Sequence, residues 1–274
     1  MDASRDQASV RPYVQLNLHL AQLGFSAPGI LGRDEENGLL LLEDFGDELF
    51  AGLLGNPHEA ERLYELAVDV LVALHQSPQA IPKGLRAYHV EKMLEDIELF
   101  LEWRAPALPE EGRGEFRAVW REALLAAHRV PASLLLRDYH AANLMLLRNR
   151  TGVRQAGLLD FQDAYQGPVA YDLMSLLEDA RRDIPDALRQ KMLRRYRSGF
   201  PELDEAEFET SMAILAAQRH LRVLAIFERL SRRDGKHDYK RLHSPRVERL
   251  LHRALLHPML AGVKRWLENY AWKD

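Results

Sequence analysis

The chain has 274 residues, with 37 Lys and Arg against 41 Asp and Glu, and its net charge of −4 supplies no overall attraction for nucleic acid. It contains no cysteine, which excludes disulfides, thiolate metal sites and a cysteine nucleophile. The longest apolar runs, Leu49–Gly55 and Gly38–Leu42, are far too short to cross a bilayer, and Met1–Gln7 lacks the apolar core of a signal peptide, so the pattern predicts a cytoplasmic protein.

In chain order, Tyr13, Leu16, Leu20 and Leu23 recur at helical spacing and predict a helix over 10–23, stopped by Gly24. Gly38–Glu43 reads as an apolar strand running into the turn Asp44-Phe45-Gly46-Asp47. Helices follow over 57–75, with Asn56 as N-cap, over 90–103 and over 115–128. The stretch Arg104–Gly114, with two Pro and two Gly, reads as a linker. Leu134–Arg137 is a buried-strand pattern, and strands over 143–147 and 155–160 flank the turn residues Arg148–Gly152, which predicts a hairpin. After Gly167-Pro168 the pattern is helical over 169–181, 186–197, 205–232, 245–257 and 258–270, with no internal repeat.

The stretch that carries chemistry is Leu134-Leu-Leu-Arg-Asp138-Tyr-His140-Ala-Ala-Asn143-Leu-Met-Leu-Leu147. Asp138 and Asn143 stand five apart between two apolar strands, the spacing of phosphotransferase catalytic loops, where Asp takes the acceptor hydroxyl's proton and Asn binds a metal. A turn centred near Thr151-Gly152 sets Asn143 directly opposite Asp160, on one face of the hairpin. The two then offer hard oxygen ligands suited to Mg²⁺, with Asp138 at the same end. Taken singly, an Asp or Asn beside a short loop is more often a turn cap; the Asp–Asn–Asp set on one hairpin favours the functional reading.

Leu136-Arg-Asp-Tyr-His-Ala-Ala-Asn-Leu-Met145 resembles the catalytic loop of the aminoglycoside phosphotransferase family, a branch of the protein-kinase-like fold. Leu158-Leu-Asp-Phe-Gln-Asp-Ala-Tyr-Gln-Gly-Pro-Val-Ala-Tyr-Asp-Leu173 is similar to that family's metal-binding strand and following helix. Asp160–Ala164, Gln218–Phe227 and Arg233–Lys236 resemble the bacterial anomeric N-acetylmuramate and N-acetylglucosamine kinases of cell-wall recycling. The resemblance implies an α+β fold: a partial small lobe with strands, hinge included, over 1–47, and a mostly helical large lobe over 48–274 carrying the catalytic hairpin and acceptor site. It implies Asp138 as catalytic base, Asn143 and Asp160 as Mg²⁺ ligands, and Glu43-Asp44-Phe45-Gly46 as the hinge whose backbone meets the adenine of ATP. It makes His140 and Asp172 supports of the catalytic loop. The implied acceptor is a small molecule, an amino sugar, with neither nucleic acid nor membrane as partner; oligomeric state stays open.

Two departures from the family pattern stand out. Leu136 occupies a position where relatives usually carry His. At the front, about 37 residues precede the hinge strand and no G-x-G-x-x-G occurs, while Met1-Asp-Ala and Arg11-Pro-Tyr resemble the end of the third small-lobe strand and the next helix. This predicts that Met1 is an internal methionine of a longer reading frame.

Arg219, Arg222, Arg229, Arg232 and Arg233 along one helix read first as a solvated face and, alternatively, as an anion contact led by Arg219. Gln162 and Asp163 are candidates for sugar hydroxyls or for ordering the next turn. Two rival classes remain at this stage. A degenerate kinase-like binder is favoured by the missing phosphate loop; a metal-dependent hydrolase using Asp138, His140 and Asp160 wants a second histidine or a bridging carboxylate.

Overall fold

The computed structural model describes residues 1–4, 7 and 10–272, and these form ten α-helices and six strands. In order they are α1 (Val10–Gln22), β1 (Ile30–Asp34), β2 (Leu39–Leu42), α2 (Phe50–Leu53), α3 (Pro57–Gln76), α4 (Val90–Arg104), α5 (Glu110–Ala127), β3 (Ala132–Leu135), β4 (Leu144–Leu146), β5 (Ala156–Leu158), β6 (Tyr165–Pro168), α6 (Ala170–Leu177), α7 (Asp186–Ser198), α8 (Glu205–Asp234), α9 (His237–Ala254) and α10 (Ala261–Tyr270). The strands pair as three ribbons, β1–β2, β3–β6 and β4–β5. No helix among the described residues is long and apolar enough to cross a membrane. The chain divides into two compact units, one of residues 1–86, 133–166 and 185–201, the other of 87–132, 167–184 and 202–274.

In the first unit, Asn56 starts α3 as its sequence signature requires. Its side chain accepts from the His58 and Glu59 backbone N–H groups, and Pro57 occupies the first helical position, where no N–H is needed. One face of α3 buries Leu63, Val70, Leu71 and Leu74. The other meets α7 through charges: Arg195 donates to Asp69 at 2.6 and 2.8 Å, and Lys191 lies 2.6 Å from Glu65. β1, which no apolar run announces, forms because β2 pairs with it, Arg33 opposite Leu40 and Asp34 opposite Leu39. On the far side of β2 the N-terminal residues add a further short pairing. The Met1 amino group donates to the Leu40 carbonyl at 2.8 Å, and the Leu40 N–H returns to Met1 at 3.0 Å.

The second unit is built on α8, 30 residues long, started by Asp204 accepting from the Glu207 N–H and ended by Gly235 at φ +67°. The Lys236 N–H then reaches back to the Leu230 carbonyl at 2.9 Å, the closing bond of a left-handed helix stop. α8 buries Leu215, Leu221 and Leu224 together with Gln218, which donates to the Met93 carbonyl of α4 at 3.2 Å. Two helices start well before the sequence expectation. α5 begins at Glu110, inside the expected linker, because the Gly112 carbonyl accepts from the buried Trp266 indole at 2.8 Å and Phe116 packs on the Trp266 ring at 4.7 Å. α9 begins at His237 and runs through Pro245. An interior proline costs about 3 kcal/mol, and burial of Val247, Leu251 and Ala254 against α8 outweighs it.

Candidate active site

β4 and β5 pair Leu144 with Leu158, Met145 with Gly157 and Leu146 with Ala156. Extending that ladder sets Asn143 opposite Leu159, whose N–H donates to the Asn143 carbonyl at 3.0 Å. The expected opposition of Asn143 and Asp160 is therefore one residue out of register, because the connection carries a 3₁₀ turn over Gly152–Gln155 rather than a tight turn centred on Thr151-Gly152. On a flat ladder a one-residue slip sends the side chain to the other face. Asp160 escapes this by leaving the strand with φ +57°, and its Oδ2 accepts from Asn143 Nδ2 at 3.2 Å. The same Nδ2 donates to the Asp138 carbonyl at 2.9 Å, so one amide ties the loop residue Asp138 to the post-strand residue Asp160.

The loop itself is pinned at several points. Arg137, immediately before Asp138, also has a positive φ, +65°. Left-handed conformations at two non-glycine residues cost about 1–3 kcal/mol each and persist where the surroundings over-determine them. Those surroundings are visible. The Tyr139 hydroxyl donates to the Ala67 carbonyl of α3 at 2.8 Å, and the Asn143 N–H donates to the His140 carbonyl at 2.8 Å. Phe161 is fully buried, its ring stacked on Tyr13 of α1 at 5.1 Å. His140 is buried, Asp138 half-buried and Asp160 exposed. Gln162 Nε2 donates to Asp160 Oδ1 at 2.7 Å, and Asp163, next along, is exposed.

The 43–46 segment lies in the same unit and is strapped to the hairpin. Glu43 accepts from the Gly29 N–H at 3.0 Å and from Arg150 Nη2 at 2.5 Å. Asp44 Oδ1 accepts from the Gly46 N–H at 2.8 Å, closing a small turn that Gly46 makes possible at φ +78°. Phe45 lies so close to β5 that a Cβ on Gly157 would stand 2.7 Å from its Cδ2, and the Arg150 guanidinium sits 5.1 Å from its ring centre. Two residues on, Glu48 takes a bidentate pair from Arg148, with bonds of 2.7–3.0 Å, and its carbonyl accepts from the Leu146 N–H at 2.8 Å. Arg148, Arg150 and Gly157 were not singled out from the sequence. Arg148 and Arg150 were legible only as turn residues, and only the fold reveals what lies across from them.

Two sequence candidates belong to the second unit. Asp172 is fully buried in the first turn of α6. Arg219 is not part of a solvated face: it is buried on α8 and donates to the Tyr171 hydroxyl at 3.3 Å. Its neighbours on the helix diverge, with Arg232 paired to the buried Glu228 at 2.5 Å and Arg233 to Asp234 at 2.7 Å.

The donor set at the hairpin suits a magnesium ion. Asn143 directs both donor contacts through Nδ2, which leaves its amide oxygen for a metal, beside the Asp160 carboxylate. Mg²⁺ is commonly held by one or two protein oxygens plus phosphate oxygens and water. Among the described residues no three His, Cys, Asp or Glu side chains group around a common point, so the second histidine or bridging carboxylate that a metallohydrolase wants is not assembled.

The model of the phosphotransferase enzyme family known as APH matches residues 1–209. The chain belongs to this family. The phosphotransferase is 35% identical over 260 residues to an N-acetylmuramate/N-acetylglucosamine kinase of Caulobacter vibrioides, the match covering 90% of this chain and 71% of that one. It is 36% identical over 250 residues to the enzyme of that description from Pseudomonas aeruginosa, covering 87% and 72%. Among solved structures it is similar to a choline/ethanolamine kinase family protein from Mesorhizobium loti, with a TM-score of 0.63 at 18% identity over 96% of this chain and 83% of that one. It also resembles the GDP complex of aminoglycoside 2'-phosphotransferase-IIIa, with a TM-score of 0.60 at 16% identity over 89% and 82%. These likenesses show the α+β, kinase-like fold that the catalytic-loop motif predicts.

Proposed function

We propose that this phosphotransferase transfers the γ-phosphoryl group of ATP to the anomeric hydroxyl of N-acetylmuramate or N-acetylglucosamine. The observation that carries the reading is the three-way tie at the hairpin, Asn143 to the Asp138 carbonyl at 2.9 Å and to the Asp160 carboxylate at 3.2 Å. The identity to kinases of those two sugars over most of the chain supports the choice of acceptor.

On this reading Asn143 and Asp160 hold Mg²⁺, which when bound neutralises the charge gathering on the phosphate oxygens. The 43–46 backbone receives the adenine, its position set by Glu43–Arg150, Glu48–Arg148 and the Phe45–Gly157 contact. Asp138 accepts the proton of the anomeric hydroxyl as that oxygen bonds to the γ-phosphorus and the bond to the β-phosphate oxygen breaks, releasing ADP. The protein forms no covalent intermediate, so its contribution is alignment and charge placement.

The test is a coupled ADP-release assay across N-acetylmuramate, N-acetylglucosamine, an aminoglycoside and choline. ADP release dependent on the amino sugars, reduced about 10²–10⁴-fold by Asp138→Asn with nucleotide affinity kept within a few-fold, is the expected result. Wild-type turnover in Asp138→Asn would remove Asp138 as the base. Turnover only with choline or the aminoglycoside would remove the amino sugar as acceptor.

A further inference from the structure

Next to Asp160, within the first unit, lies a cleft of about 590 Å³ formed by Pro12, Gln15 and Leu16 of α1, the 82–86 loop, and Gln162 with Ala164. Small-molecule pockets run to about 300–1,000 Å³, so the space suits a ligand of amino-sugar size. One wall is continuous with the hairpin site, because Gln162 both lines the cleft and donates to Asp160 Oδ1 at 2.7 Å.

The 82–86 loop makes the lining cationic, and its cations are placed by the backbone. The Leu85 N–H donates to the Pro82 carbonyl at 3.2 Å across a four-residue turn whose third residue, Gly84, has φ +80°. That is the geometry of a type II turn, with Lys83 at its second position. Arg86 follows, its carbonyl accepting from the Gln166 N–H at 2.8 Å and its guanidinium 5.0 Å from the centre of the Tyr165 ring. A guanidinium stacked on an aromatic face keeps its edge N–H groups available to an oxyanion. Four arginines of this unit meet carboxylates: Arg62 with Glu59, Arg148 with Glu48, Arg150 with Glu43 and Arg195 with Asp69. Lys83 and Arg86 meet no carboxylate among the described residues. Two cations on one cleft-lining loop, with no acidic residue among the lining, form a site for a carboxylate supplied from outside.

We propose that this cleft takes the anionic arm of the acceptor, with Lys83 and Arg86 binding a sugar-acid carboxylate and Gln162 and Gln15 meeting its hydroxyl or amide groups. The inference rests on the amino-sugar reading above and adds to it. N-acetylmuramate carries an ether-linked lactyl carboxylate that N-acetylglucosamine lacks, so the two sugars differ in the group the cleft is built to hold.

The experiment is calorimetric titration of the whole chain with each sugar, repeated with Lys83→Ala/Arg86→Ala, both residues being exposed and the variant's fold checked by its melting temperature. The expected result is about tenfold tighter binding of N-acetylmuramate by the wild-type chain, with the ratio falling to about one in the variant. A ratio near one in the wild-type chain, or an unchanged ratio in the variant, overturns the cleft assignment while leaving the kinase reading intact. Binding of neither sugar overturns the amino-sugar reading and the cleft assignment together.

Discussion

Asp160 accepts a hydrogen bond from Asn143 at 3.2 Å although the two are not register partners, and it does so through a left-handed backbone at φ +57°. The strand ladder alone would have separated them. Asp160→Asn keeps the side-chain shape and a residue type that tolerates this conformation, while removing the charge. The expected outcome is a melting temperature lowered by a few degrees without ligands, because Asn can accept only one of the bonds from Asn143 and Gln162, and loss of the thermal stabilisation expected of Mg-ATP in the wild-type protein. Equal Mg-ATP shifts in both proteins would remove Asp160 from metal binding.

Gly157 is required by proximity rather than by its backbone angles. An added Cβ would stand 2.7 Å from Phe45 Cδ2 and 3.1 Å from the Met145 Cβ, so either the aromatic ring or the hairpin must shift. Gly157→Ala should cost about 1–3 kcal/mol by urea unfolding and weaken nucleotide binding through the displaced 43–46 segment. Phe45→Leu in the same chain should recover at least half of the lost stability. Absence of any coupling between the two substitutions would show that the contact is loose.

His75 provides a pH dependence of stability. Burial holds its imidazole down to about 4 from an ordinary 6.5, with Nδ1 bonded to the Tyr196 hydroxyl at 2.7 Å and Nε2 sealed from solvent. The unfolded chain therefore takes up a proton below pH 6.5 that the folded chain refuses until about pH 4. Stability is fully present above 6.5 and falls through this window by up to about 3 kcal/mol. Urea midpoints measured from pH 7 to pH 4 should decline more steeply in the wild-type protein than in His75→Phe. Parallel declines would mean that His75 titrates normally in the fold.

Much of the architecture was legible along the chain. Asn56 followed by Pro57 announced the start of α3, and the apolar spacing of Tyr13, Leu16 and Leu20 announced α1, because capping and periodicity act over one or two helical turns. Other features had no local cue. The pairing that makes β1 a strand lies in β2, and the partner that lets Gly112 sit inside a helix is Trp266, 154 positions away. Arg219, which reads as one of a row of surface charges, is buried against Tyr171 because α6 packs on α8.

For the candidate site the division is similar. The five-residue interval from Asp138 to Asn143 and the flanking apolar strands are written in sequence, since both belong to one short loop and its strands. The meeting of Asn143 with Asp160 is not: register and pleat place Asp160 on the wrong face, and only a positive φ at a non-glycine residue brings it back. Such a backbone is unfavourable by itself. It exists here because the buried Phe161 stacked on Tyr13 and the side-chain bonds from Asn143 and Gln162 hold it, and those are contacts that only the assembled tertiary structure supplies.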